Sequence, residues 1–266
     1  MCKRSDVRDR KRSGMEKKIK GKGSWQVWKR AVLDTVFPWS VCVLCGNPTT
    51  DDSCLCPHCL DKVLRMPRCR SCGAFLYLDS CRDHSFLCAF CRKEPKPQIA
   101  HFWSALPYEE KGRQLILDLK YNQKKNYARP LGNCLAFYLA REHVTADFLV
   151  PVPLHVHRLA ERGYNQAALL AEVIGTELRI PVLSDALVRH KETKLQFSLS
   201  FSERKQNLTD AFSPGSQSAL VAGRKILLVD DILTSGATAL SCAKVLKKLG
   251  ADRVEVATVA VHAEKC

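Results

Sequence analysis

The chain has 266 residues, 46% of them hydrophobic, with twelve prolines spread along it. That length supports one sizeable core plus a smaller module, and the composition excludes a wholly disordered protein. Lysine and arginine number 42 against 27 acidic residues, a net charge of +15 that favours phosphorylated small molecules or nucleic acid as partners. No apolar run reaches the roughly eighteen residues of a membrane span, and no signal-type apolar stretch follows the basic N-terminus, so a cytoplasmic protein is expected.

Four regions follow in chain order. Residues 1–24 form a basic tail (Lys3, Arg4, Arg8, Arg10, Lys11 and Arg12 among others) without apolar period, read as solvated and disordered. Met15 is an alternative start, which would remove more than half of that cluster. In the segment 25–38, Trp25, Trp28, Val32 and Val36 fall on one face of a short amphipathic helix that Pro38 stops. Residues 39–97 are rich in Cys, Gly and Pro with no helical period, and residues 98–266 alternate strand and helix signals.

Ten of the fourteen cysteines lie between Cys42 and Cys91. Eight of these form CxxC pairs: Cys42/Cys45, Cys56/Cys59, Cys69/Cys72 and Cys88/Cys91. Each pair can offer two thiolates to one tetrahedral ion, and two pairs complete a four-cysteine zinc site. The expectation is a double zinc ribbon holding two structural Zn2+ ions. Sequential pairing is preferred, with first-to-third pairing still open. Gly46 and Gly73 suit the tight turn after a knuckle's second Cys. A thioredoxin-like redox role suits one CxxC in a βαβ setting, not four in an irregular segment. The interleaved basic and aromatic residues of the region (Arg65, Arg68, Arg70, Arg92, Phe75, Tyr77, Phe86) would allow nucleic-acid contacts, but the preferred reading is that the aromatics pack the ribbons.

Beyond residue 98, strands are expected at His101–Leu106, Asp147–Pro151, Lys225–Val229 and Arg253–Val261. Helices are expected at Glu109–Tyr121, Tyr127–Glu142, Tyr164–Leu178 and Ala237–Leu249. A polar stretch spans Arg189 to Gln206, in which Ser200 and Glu203 make a capping box. Alternating elements predict an α/β domain, a largely parallel sheet flanked by helices that binds ligands beyond the carboxyl ends of its strands.

The sharpest signal is Ile226-Leu-Leu-Val-Asp-Asp-Ile-Leu-Thr-Ser-Gly-Ala-Thr238. A buried strand delivers Asp230 and Asp231, and a loop of small hydroxyl residues then opens a helix. Helix N-termini carry unpaired N–H groups and partial positive charge, so they hold phosphate. The carboxylates can accept from sugar hydroxyls or orient hydrated Mg2+. An isolated Asp-Asp would be an ordinary strand exit, but the whole string makes that reading improbable.

This string resembles the phosphoribosyl-pyrophosphate motif of type I phosphoribosyltransferases. The resemblance implies that Asp230 and Asp231 contact ribose hydroxyls and that Thr234, Ser235, Gly236, Ala237 and Thr238 cradle the 5′-phosphate. From about Pro38 onward the chain is similar to the ComF family, named for a competence protein of bacterial DNA uptake. The similarity rests on the cysteine pairs, Leu119-Lys120-Tyr121, Val150-Pro-Val-Pro153, Arg162-Gly-Tyr-Asn-Gln166 and the Gln196…Arg204…Asn207…Phe212 pattern. It implies a type I phosphoribosyltransferase fold in which the segment Val152–His155, Pro153 included, takes the pyrophosphate-loop position, with Arg158 and Arg162 supplying positive charge. The stretch 189–206 then corresponds to a loop that closes over substrate, with Arg204 its principal cation. The cysteine region takes the N-terminal position of the hood that selects the acceptor.

Two functions are consistent with these residues. One is a phosphoribosyltransferase binding phosphoribosyl pyrophosphate and Mg2+, linked to competence. The other is a non-catalytic module of the transformation machinery, binding single-stranded DNA and competence proteins on the same fold.

Overall fold

A computed structural model describes residues 41–49, 54–76, 86–88, 91–92, 98–191 and 210–262. The basic tail, the helix expected at Trp25–Phe37 and the capping box at Ser200 lie outside the described residues. Within them the first helix, α1 (Pro57–Arg65), arises inside the cysteine region, where no helix is expected from the sequence. It is short but locally specified. Pro57 pre-sets the first-turn backbone, and the Cys56 sulfur caps the N-terminus by accepting from the Cys59 amide.

The remaining elements are β1 (Phe102–Pro107), α2 (Glu110–Tyr121), α3 (Ala128–Arg141), β2 (Phe148–Pro151), α4 (Val156–Arg162), α5 (Gln166–Leu178), β3 (Leu187–Arg189), β4 (Phe212–Pro214), β5 (Lys225–Leu233), α6 (Ala237–Lys248) and β6 (Arg253–Val261). Four strands form one parallel sheet in the order β1-β6-β5-β2. The central pair explains the arrangement. Residues 226–229 of β5 and 254–261 of β6 are buried throughout, as near-continuous apolar runs must be when helices cover both faces of a sheet. Helix α5 packs on β2 and β5 and also on α3, which lies over β1 and β6, while α6 packs on β6 and the hairpin strand β4. Strands β3 and β4 pair antiparallel and bracket the polar stretch.

Strand β5 is longer than expected. It continues past Val229 because β6 stays paired with it as far as Val261, so Asp230 and Asp231 sit inside the strand. Helix α4 is likewise an addition, made of the residues that carry Arg158 and Arg162.

The cysteine region is seated on the sheet's outer edge. In a parallel pair, alternate residues turn their backbone groups away from the partner strand, and at β1 these are Phe102 and Ser104. The buried Arg68 guanidinium donates to the Ser104 carbonyl, and Gly73 lies so close to Phe102 that an added Cβ would stand 2.7 Å from its carbonyl oxygen. An edge that would otherwise offer free hydrogen-bonding groups is covered.

Candidate ribose-phosphate site and cysteine tetrads

The carboxyl end of β2 lies beside β5 just before its acidic pair. Pro151 is level with Val229, and the Val152 amide donates to the Val229 carbonyl at 2.9 Å. The turn Val152–His155 therefore emerges next to Asp230 and Asp231, where ligands of such sheets bind. Val152, Pro153 and His155 are buried and Leu154 is half-buried. His155 is level with Arg189 at the end of β3.

Strand alternation sends the two acidic side chains to opposite faces. Asp231 is buried and its Oδ1 receives the Lys120 ammonium at 2.9 Å, with side-chain exposures of 4% and 15%. Asp231 Oδ2 is enclosed without a hydrogen-bond partner. Asp230 is half-buried, and its Oδ1 accepts from the Asp231 amide at 2.8 Å. It is level with Thr258 of β6, whose hydroxyl is 2.7 Å from that of Ser104 on β1, so a polar rung crosses the sheet. Burial, and then the Asp231 charge, raise the Asp230 pKa from 3.8 to about 7 against the pull of Lys120. On α6 the buried Cys242 thiol is pushed up by desolvation and by the Asp230 charge.

After β5 the chain turns through Thr234, Ser235 and Gly236 into α6. Gly236 is the N-cap at φ 73°, a left-handed conformation that disfavours side chains with a Cβ. The Ser235 hydroxyl accepts from the Ala237 amide at 3.4 Å, and the first helical bond runs from the Leu240 amide to the Gly236 carbonyl at 2.9 Å. Thr234 is exposed, Ser235, Ala237 and Thr238 are half-buried, and Gly236 is buried. The positive end of a twelve-residue helix thus meets solvent between two hydroxyl residues, which is the chemistry a phosphate monoester requires.

The motif Arg162-Gly-Tyr-Asn-Gln166 does more positioning than its arginine suggests. Asn165 caps α5 through the Ala167 amide at 3.0 Å, while its side-chain N–H donates to the Val152 carbonyl at 3.0 Å and holds the β2 turn. The Tyr164 hydroxyl donates to the Leu119 carbonyl, fixing the last turn of α2. Arg162 stacks 4.9 Å above the Tyr121 ring and donates to Gln166 at 3.0 Å. Arg158 pairs with Glu161 on the same helix at 2.9 Å. Both arginines thus have protein partners, and Arg204 lies outside the described residues.

Two cations emerge that sequence reasoning does not single out. Lys120 is one, signalled only by the Leu119-Lys120-Tyr121 string. Arg189 is the other: burial lowers its pKa against the opposing pull of Cys242 and then Asp230, and its guanidinium lies 5.6 Å from the Phe212 ring centroid.

The cysteines gather into two tetrads, Cys42/Cys45/Cys56/Cys59 and Cys69/Cys72/Cys88/Cys91, the Sγ atoms of each lying within 4.8 Å of one another. Pairing is sequential. Cys45 and Cys56 sulfurs are 3.8 Å apart, and those of Cys72 and Cys88 are 3.7 Å apart. Tetrahedral zinc with Zn–S bonds of about 2.3 Å requires sulfurs about 3.8 Å apart. The donor set therefore fits Zn2+. The eight cysteines are free thiols, and the amides of Cys59, Cys88 and Cys91 donate to sulfurs at 3.3–3.5 Å, as knuckle turns do. Hydrogen bonds from Cys72, Cys88 and Cys91 pull the Cys69 thiol far below its ordinary range. Gly46 and Gly73 take positive φ in the knuckle turns.

A phosphoribosyl transferase domain model matches residues 160–265. Competence protein F of Haemophilus influenzae is 33% identical over 223 residues, covering 81% of this chain and 94% of the relative. The chain belongs to the ComF family. DNA utilization protein YhgH of Escherichia coli is 30% identical over 228 residues (82% of this chain, 88% of the relative), and competence protein ComFC of Streptococcus pneumoniae is 27% identical over 225 residues (84% and 93%). Among solved structures, a purine phosphoribosyltransferase from Pyrococcus horikoshii overlaps 60% of this chain and 77% of its own at 15% identity and a TM-score of 0.31.

Among the described residues of the tetrad region in this ComF-family protein, several basic and aromatic side chains contact one another or the backbone. Phe75 is wholly buried, and Arg68 lies 4.1 Å from its ring and 4.7 Å from that of Tyr138. Arg70 stacks on Phe86 at 5.2 Å, and Arg92 donates to the Leu87 carbonyl at 3.2 Å. Among the described residues no helix is long and apolar enough to cross a membrane.

Proposed function

We propose that this ComF-family protein binds phosphoribosyl pyrophosphate with Mg2+ and acts as a phosphoribosyltransferase-type protein in the handling of DNA during competence. One observation carries the reading: an acidic pair in the second half of β5 is followed by a hydroxyl-bearing loop that opens the positive end of α6. The loop from Thr234 to Thr238 would take the 5′-phosphate, and Asp230 the ribose hydroxyls. The turn Val152–His155, with Arg158, Arg162 and Arg204 nearby in the family pattern, would take the pyrophosphate end. Mg2+ would neutralise charge on the departing pyrophosphate. The protein's own part is to place the sugar over Asp230, to supply cations around the anion and to limit water. Two Zn2+ ions in the tetrads would hold the N-terminal region folded.

Isothermal calorimetry of the zinc-loaded full chain with phosphoribosyl pyrophosphate and Mg2+ tests this; heat-silent titrations at millimolar ligand would refute it. The relatives named for competence and DNA utilization, with the charge of +15, favour a second reading as a single-stranded-DNA-binding module. Fluorescence titration with an oligonucleotide at two salt concentrations tests that one, since a phosphate-driven complex must weaken as salt rises.

A further inference from the structure

Adjacent carboxylates at a sugar site are naturally read as equal partners, but here they stand in different places. Asp231 is turned into the protein, 2.9 Å from Lys120, and its second oxygen is enclosed where no ligand hydroxyl can reach it without rearrangement. Asp230, on the opposite face, is the more exposed and is held in place by the Asp231 amide. Lys120 is itself fixed: the neighbouring Leu119 carbonyl takes the Tyr164 hydroxyl, and Arg162 stacks on Tyr121, the residue that ends α2. A buried ammonium anchored in this way has one evident use, because a buried carboxylate without a counter-charge costs several kcal/mol and would protonate or swing outward.

We infer that the acidic pair is divided, with Asp230 meeting the sugar and Lys120 acting as the positioning residue that keeps Asp231 turned away from it. The inference rests on the ribose-phosphate reading and adds the division of labour to it. It makes three residues, not two, the unit that shapes the sugar end. The Leu119-Lys120-Tyr121 and Arg162-Gly-Tyr-Asn-Gln166 strings then serve together as the mount for one ammonium group.

The test is a binding series with phosphoribosyl pyrophosphate and Mg2+ on zinc-loaded, full-length variants, read by calorimetry alongside thermal unfolding. Asp230→Asn is expected to weaken binding by about a hundredfold while folding at least as stably as the wild type, as loss of direct contacts from a charged acceptor would do. Lys120→Met is expected to lose about tenfold and to unfold at lower temperature. Adding Asp231→Asn to Lys120→Met should regain most of both losses, because the stranded charge is removed with its partner. A lysine that acted by packing alone, or by binding the ligand's anion itself, would not give that rescue of affinity. If Lys120→Met/Asp231→Asn binds as poorly as Asp230→Asn, Asp231 meets the sugar directly and the inference is overturned. A wild type that takes up no ligand overturns the ribose-phosphate reading as well, so the two failures are distinguishable.

Discussion

Asp230 places a carboxylate in surroundings that resist its ionisation, and replacing it should stabilise the unliganded protein. Burial and the neighbouring Asp231 charge raise its pKa from 3.8 to about 7. The folded state therefore binds this proton more tightly than the unfolded chain. Between those two values folding takes up a proton, so stability falls as pH rises through the window, and the whole cost is present above it. Three powers of ten in the proton equilibrium correspond to about 4 kcal/mol as a ceiling. The side chain is partly reached by solvent, so about half of that is expected. Asp230→Asn keeps the oxygen that accepts from the Asp231 amide and removes the charge. For a folded unit of this size about 2 kcal/mol raises the midpoint by roughly 4–8 °C. Differential scanning fluorimetry at pH 8.5 should show that gain, and at pH 4 less than half of it. A variant no more stable than the wild type at pH 8.5, or a gain indifferent to pH, would refute the argument. An affinity-reducing substitution that raises the melting temperature is the expected signature of a strained binding group.

Two further outcomes follow from the tetrads. Mass spectrometry under native conditions should find two Zn2+ per chain, and Cys72→Ser should leave one while lowering the unfolding temperature. Gly73→Ala puts a Cβ 2.7 Å from the Phe102 carbonyl at a φ of +68°, so it should destabilise by about 1–3 kcal/mol and increase aggregation in light-scattering assays as the β1 edge is disturbed.

What the residues disclosed on their own differs by region, for physical reasons. The four sheet strands and the helices α2, α3, α5 and α6 are visible in apolar period because each buries a continuous face. Helix α4 is not: none of its residues is buried, so no apolar period marks it. Helix α1 is hidden in a cysteine-rich stretch where a proline and a sulfur cap act in place of a long apolar stripe. Spacing leaves the pairing of knuckles open, and only the fold closes it. At the site, the Thr234–Thr238 loop was legible because local sequence alone shapes a helix N-terminus. Lys120 was not, since its partner Asp231 is more than a hundred residues away and only the topology joins them. The ribbons' cations were ambiguous for the same reason: Arg68 is committed to Ser104 and two rings, one of them on α3.

Chain order gives the covered edge of β1 a temporal meaning. The inner neighbour of β1 is β6, and these strands are separated by most of the domain, Phe102 aligning with Val256. During synthesis β1 leaves the ribosome long before β6 exists, with both flanks open to wrong partners. The segment holding Cys69, Cys72 and Gly73 has already been made by then. That segment can therefore shield one flank while the nascent chain waits for the other, and a tetrad that took up its ion early would act as a chaperone-like step within the polypeptide itself.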